Sequence, residues 1–140
     1  MKKLNRDAVM QVLPHRPPML LIDEAEQPED GVSVGRYTVR GDEYFLQGHF
    51  PGNPVVPGVI QCEMMAQSAC LLVPADVVGT PYFTGMEKVK FKRKVLPGDI
   101  LEFTCRLTKH KGVFYFAECV GRVGDKVCCS AEISFAIVRD

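Results

Sequence analysis

No excess of charge of either sign marks the sequence: Lys plus Arg and Asp plus Glu number 17 each. A chain so balanced generates no overall positive field of the kind that draws nucleic acid or an anionic membrane, so any charged docking must be local. An unbroken apolar run long enough to span a bilayer is also missing. The most apolar stretch, 55–73, is interrupted by Pro57, Gln61, Glu63, Gln67 and Ser68 and reads as a helix buried in protein. The start, Met1-Lys2-Lys3-Leu4-Asn5-Arg6-Asp7, places charge where the apolar region of a secretion signal would follow, so no export is expected. The cysteines at 62, 70, 105, 119, 128 and 129 include no Cys-x-x-Cys pair and no histidine at zinc spacing, which argues against both a metal site and a disulfide framework. Several fall on apolar positions of regular patterns, where free Cys behaves as a small hydrophobe; reduced core thiols in a cytoplasm are the expectation. Neither repeats nor a Gly/Ser-rich linker divide the chain, so residues 1–140 are expected to form one domain around one core.

What is present is a set of periodic segments punctuated by Pro and Gly. Asn5 is placed to cap a short helix through Val12, which Leu13-Pro14 would end, because the residue before Pro disfavours helical geometry. Residues 19–27 and 32–40 are rich in strand formers and are separated by the turn signal Pro28-Glu29-Asp30-Gly31. Residues 41–57 show no period, and an ordered loop of that length in a small domain is often functional. Gly58 to Leu72 then reads as a helix, opened by Pro57 and followed by Pro74, of about 22 Å at about 1.5 Å per residue. It is apolar on nearly every side and must be wrapped. The wrapping comes from Leu101, Phe103, Cys105 and Leu107, from 113–123 between turn signals, and from Val127, Cys129, Ala131, Ile133, Phe135 and Ile137, all of which alternate as half-buried strands do. The fold class expected is therefore α+β: a long central apolar helix wrapped by a curled antiparallel sheet of five or six strands, the hot-dog arrangement.

Glu63 lies one turn inside this apolar helix, where an ionised carboxylate loses hydration worth several kcal/mol unless paired. Burial favours the protonated form, and a carboxyl kept protonated can act as a general acid; a helix residue facing solvent or a second subunit is the plainer alternative. Gln67, four residues on, is close enough to orient it. His49 sits in Gln47-Gly48-His49-Phe50-Pro51-Gly52-Asn53-Pro54, whose glycines and prolines fix an irregular path, and an imidazole is a plausible base for the acidic proton beside a thioester carbonyl. Where loop meets helix, the Gly58 amide lies at the positive end of the helix dipole, a place for an oxyanion. A base, an oxyanion site and an acid thus fall within 49–67.

The run Gly48-His49-Phe50-Pro51-Gly52-Asn53-Pro54-Val55-Val56-Pro57-Gly58-Val59-Ile60, followed by Glu63 and Met65-Ala66-Gln67, resembles the signature of 3-hydroxyacyl-[acyl-carrier-protein] dehydratases. The resemblance extends over nearly the whole chain, from Leu13-Pro14-His15-Arg16-Pro17 and Leu20-Leu21-Ile22-Asp23 to Phe91-Lys92-Arg93 and Pro97-Gly98-Asp99. It implies an enzyme of fatty acid elongation that converts (3R)-hydroxyacyl chains on acyl carrier protein to trans-2-enoyl chains, without a cofactor or metal. It further implies that His49 takes the alpha proton, that the Gly58 amide holds the thioester oxygen, and that Glu63 protonates the departing hydroxyl. The site would be shared across a homodimer, with hexamers of three dimers common. Val56 and Met64 depart from the residues frequent in the family, which bears on acyl length.

Lys88, Lys90, Lys92 and Lys94 recur every second residue; on a strand they would share one face. With Arg93 they could dock an acidic carrier protein, or equally keep an edge strand from pairing. Tyr82, Phe83, Met86 and Phe91 are candidates to line an acyl tunnel, with ordinary core packing the commoner role. His15 has no acid near it in sequence and is read as structural; His110, beside Lys111-Gly112, is read as a turn residue. The rivals to plain dehydration are acyl-thioester hydrolysis on the same fold, dehydration with isomerisation, associated with Asp at the acid position, and a non-catalytic acyl-binding subunit.

Overall fold

The computed structural model describes residues 2–139. Asn5 caps the first helix, α1 (Arg6–Val12), through its side-chain oxygen, which accepts from the Ala8 amide at 2.9 Å. The helix ends at Leu13, whose extended backbone leads into Pro14. The second helix, α2 (Gly58–Cys70), begins directly after Pro57 as read and ends two residues before the expected Leu72. The strands are β1 (Lys2–Leu4), β2 (Glu24–Glu29), β3 (Val32–Thr38), β4 (Thr80–Phe91), β5 (Ile100–Lys111), β6 (Phe114–Val123) and β7 (Lys126–Val138). Among the described residues they form one seven-stranded antiparallel sheet in the order β1-β2-β3-β5-β6-β7-β4, open between its edges β1 and β4.

The strand count exceeds the five or six expected, because β1 is three residues long and too polar to show a period. The strand read from Met19 begins only at Glu24. Residues 17–19 turn instead, with the Met19 and Leu20 amides donating to the Arg16 carbonyl at 2.9 and 3.0 Å, and the Leu21 amide is taken by a side chain of α2 rather than by a strand. Leu20, Leu21 and Ile22 are buried, so their apolar character serves the core without a ladder.

The core lies between α2 and the concave face of the sheet. Met64, Met65 and Ala69 of α2 are fully buried, as are Leu101, Phe103 and Cys105 of β5 and Cys129 of β7. Each large side chain buried here contributes about 1.5–3 kcal/mol. Helix and sheet touch closely at Gly35 of β3: a Cβ there would lie 2.2 Å from Ser68 Oγ, and Ser33 Oγ donates to the Ser68 carbonyl at 2.7 Å. All six cysteines are free and buried, as the apolar pattern implied.

The loop leading from β3 toward α2 is anchored by Glu43, a buried carboxylate not singled out in the sequence. It accepts from Tyr37 Oη at 2.7 Å, from the Arg40 amide at 2.9 Å and from the Gly41 amide at 2.8 Å. Burial works against ionisation of Glu43, but the hydrogen bonds from Tyr37, Arg40 and Gly41 outweigh it and hold the carboxyl below the usual range. A group whose folded pKa is depressed contributes stability above its unfolded pKa and loses it as pH falls through the folded one. Glu43→Gln is therefore expected to cost about 1–3 kcal/mol at pH 7, with the gap to the unaltered protein narrowing as urea unfolding is repeated at progressively lower pH from 5 downward. A gap independent of pH would show that the charge of Glu43 is not what anchors the loop.

Candidate active site

The loop that carries His49 is closed on itself by backbone hydrogen bonds. The His49 amide donates to Leu46 O at 3.1 Å, the Val55 amide donates to His49 O at 2.9 Å, and Phe50 and Asn53 exchange bonds at 3.0 and 2.9 Å. Gly48 and Gly52 have φ of +80 and +71, a region that side chains other than glycine's adopt only with strain. The His49–Phe50 peptide is cis, as is Pro17–Pro18. His49 Nδ1 lies 2.8 Å from the Val55 carbonyl. A carbonyl only accepts, so Nδ1 carries the hydrogen and the lone pair is on Nε2. The ring stacks on Phe50 at 4.2 Å and is half-buried, which fixes its plane while leaving Nε2 reachable.

Val56 is buried and ties the loop to the segment after β4, its amide donating to Val95 O at 2.9 Å. Pro57 caps α2, and the Gly58 amide that follows has no acceptor among the described residues, as the first amides of a helix do not. The Phe91 ring lies against Gly58: a Cβ there would stand 2.8 Å from Phe91 Cζ and 3.0 Å from its two Cε atoms. A side chain at Gly58 would therefore have to displace the Phe91 ring.

Glu63 is not enclosed as the apolar helix suggested. It sits on the one half-open stripe of α2, with 26% of its side chain exposed. One of its oxygens is nonetheless held. Gln67 Oε1 accepts from the Leu21 amide at 2.9 Å, and Gln67 Nε2 donates to Met19 O at 2.8 Å and to Glu63 Oε2 at 2.9 Å. The Leu21 amide can only donate and the Met19 carbonyl can only accept, so the orientation of the Gln67 amide is fixed and Glu63 Oε2 must be the acceptor. A proton on Glu63 then resides on Oε1, which makes no hydrogen bond among the described residues and is not a buried orphan atom.

His15, read as structural, lies with its Nε2 3.6 Å from Glu63 Oε2. No local signal could have shown this: the contact joins a Pro-rich loop to a helix 48 positions away, and the same loop is tied to that helix by the bonds of Gln67 to Met19 and Leu21. His110 is exposed as expected but lies in β5 rather than in the turn: it pairs with Tyr115, stacks on that ring at 4.2 Å, and has its Nε2 2.8 Å from Gly112 O.

The structure thus joins Gln67 to Glu63 and Phe91 to Gly58, but His49 and Glu63 share no hydrogen bond or ion pair within the chain. Tyr82 and Phe83 are both exposed on the edge strand β4, and as successive strand residues they project from opposite faces, so one chain does not gather them into one lining. The even lysine stripe is corrected as well. Lys88 has φ +53 at a register shift between Glu87 and Lys90, and Lys92, Arg93 and Lys94 lie beyond the end of β4. Lys90, Lys92, Arg93 and Lys94 remain exposed as an irregular basic cluster. Among the described residues no group of three or more His, Cys, Asp or Glu is placed to hold a metal ion, and no helix is long and apolar enough to cross a membrane.

A helix wrapped by one antiparallel sheet is the hot-dog arrangement, and its likeness to known proteins makes it that of a dehydratase. Residues 25–132 match the family model described as ApeI-like, ApeI dehydratase. The dehydratase heterocomplex ApeI:P from Xenorhabdus doucetiae superposes with a TM-score of 0.80 at 20% identity, over 94% of this chain and 91% of that one. The 3-hydroxyacyl-[acyl-carrier-protein] dehydratase FabZ of Clostridium perfringens (strain SM101 / Type A) is 41% identical over 137 residues, 96% of this chain and 99% of that protein. The protein of the same name from Clostridium botulinum (strain Kyoto / Type A2) is 41% identical over 140 residues, covering 97% of each. The chain belongs to this FabZ dehydratase family.

Proposed function

We propose that His49 and Glu63 carry out the dehydration between them, with the Gly58 amide as oxyanion donor and Gln67 as the residue that orients the acid. The reaction is that of the family: a 3-hydroxyacyl group on acyl carrier protein becomes the trans-2-enoyl group, in fatty acid biosynthesis. His49 Nε2 takes the C2 proton while the thioester oxygen gains charge against the Gly58 amide. The C3–O bond breaks, Glu63 Oε1 gives its proton to the departing hydroxyl, and water leaves as the C2=C3 double bond forms. Each step is a proton transfer or an elimination, so no cofactor enters it. The observation that carries this reading is the hydrogen-bond set of Gln67, which engages Oε2 of Glu63 and leaves Oε1 free to face the substrate.

His49 and Glu63 share no hydrogen bond or ion pair within the chain, and we propose that the complete site is assembled from His49 of one subunit and Glu63 of another in a homodimer, three of which make a hexamer. The phosphopantetheine arm enters beside the basic cluster of Lys90, Lys92, Arg93 and Lys94, which meets the acidic carrier protein, and Tyr82, Phe83 and Phe91 border the acyl chain. Free buried thiols suit a reducing cytoplasm. The single domain of residues 1–140 serves as the subunit.

The test is incubation of the purified protein with a (3R)-hydroxyacyl thioester of acyl carrier protein. A rise in ultraviolet absorbance from the conjugated enoyl thioester, without release of free thiol, is the predicted result. Free carrier thiol would replace this reading with hydrolysis, and no product at any chain length would replace it with acyl binding alone.

A further inference from the structure

Two groups, not one, face Glu63 Oε2: the Gln67 amide at 2.9 Å and His15 Nε2 at 3.6 Å. His15 is set in place by its neighbours. Arg16 Nη1 donates to the carbonyls of Leu13 and His15 at 2.9 and 2.7 Å, which pins the backbone at His15, and the imidazole Nδ1 is buried with no partner among the described residues. That orphan decides the tautomer. With the hydrogen on Nδ1, an N–H would be buried unpaired and the Nε2 lone pair would lie nearest a carboxylate oxygen; with it on Nε2, the one donor is on the nitrogen 3.6 Å from that oxygen.

We propose that His15 is a positioning residue for the dehydration, a neutral N–H donor that steadies the Glu63 carboxylate as its proton leaves from Oε1. This rests on the reading of Glu63 as the acid. As Oε1 gives up its proton, charge spreads over both oxygens, and the share on Oε2 is met by the Gln67 amide and the His15 ring. Burial holds the His15 imidazole below its ordinary range, with Glu63 pulling it up and Arg16 pushing it down, which keeps the ring neutral at pH 7. Besides His15, the titratable group facing Glu63 is Cys70 on the same helix; burial, chiefly, and Glu63 push that thiol up to about 12, so it carries no charge where the enzyme works. Arg16 faces His15 from the adjoining position.

The experiment is the pH profile of kcat and KM for the unaltered protein, His15→Ala, His15→Gln and His15→Asn, with Glu63→Gln alongside and thermal unfolding as the check on folding. The Gln amide places an N–H near the position of imidazole Nε2, whereas Asn is too short to reach it. A carboxylate deprived of its donor holds its proton more tightly, so His15→Ala and His15→Asn are expected to lower kcat about 10-fold. In both, the basic limb should move up by about half to one pH unit, with KM changed by less than about twofold. His15→Gln is expected to keep kcat within about threefold and the limb in place. Should His15→Ala fail to fold, the contrast between Gln and Asn decides. Basic limbs that superpose in all folded variants, or equal losses in Gln and Asn, would overturn the inference. If Glu63→Gln itself kept its rate, the reading of Glu63 would be what fails; if Glu63→Gln is inactive while the limbs do not move, only the role of His15 falls.

Discussion

Glu63→Gln is expected to lower the rate of enoyl-thioester formation by about 10²–10⁴-fold, the range lost with a general acid. The substitution keeps the shape of the side chain, and its carbonyl oxygen can still accept from Gln67 Nε2, so the link to Met19 and Leu21 survives. An amide has no proton to give to a departing hydroxyl. About a quarter of the Glu63 side chain, 26%, is exposed, and the change should alter stability by no more than about 0.5 kcal/mol. Initial rates and thermal unfolding measured together separate the two effects: a full rate would remove Glu63 from the mechanism, and a lost rate with a collapsed melting temperature would point to structure instead.

His49→Ala is expected to produce a loss of similar size in kcat, with KM little changed. The base that takes the C2 proton would be gone, and with it the hydrogen bond from Nδ1 to the Val55 carbonyl, worth about 1 kcal/mol. His49→Asn isolates the chemistry. Its Nδ2 overlays imidazole Nδ1 and keeps the donor to Val55, but it offers no basic nitrogen at the position of Nε2. The Asn variant should therefore unfold close to the unaltered protein and be as inactive as the Ala variant. Activity recovered by Asn would mean that His49 serves the loop rather than the substrate.

Much of this arrangement was legible because it is local. Pro57 sets the start of α2, Asn5 the start of α1, and the alternation of Leu101, Phe103 and Cys105 fixes which face of β5 is buried. Gln67 reaches Glu63 because they are one helical turn apart. What failed depended on contacts distant in sequence or on breaks in a period. The apolar run at Leu20–Ile22 is core without being strand, since Gln67 takes the Leu21 amide. The lysine alternation is interrupted by the left-handed Lys88. Glu63 is surrounded by apolar neighbours in sequence, yet 26% of its side chain stays exposed, and the loop that Gln67 ties to the helix brings His15 to it. Glu43 was missed because its partners, two backbone amides and a tyrosine hydroxyl, carry no sequence signature.

Subunit mixing tests most directly the proposal that His49 and Glu63 act as one site made by two subunits. His49→Ala and Glu63→Gln are co-expressed at equal levels, and the enoyl-forming rate is compared with that of each variant alone. In a mixed dimer one site lacks both residues and the other has both intact. Half of randomly paired dimers are mixed, so recovery to about a quarter of the unaltered rate is predicted. A mixture as inactive as its two components, although mixed dimers are shown to form, would contradict it.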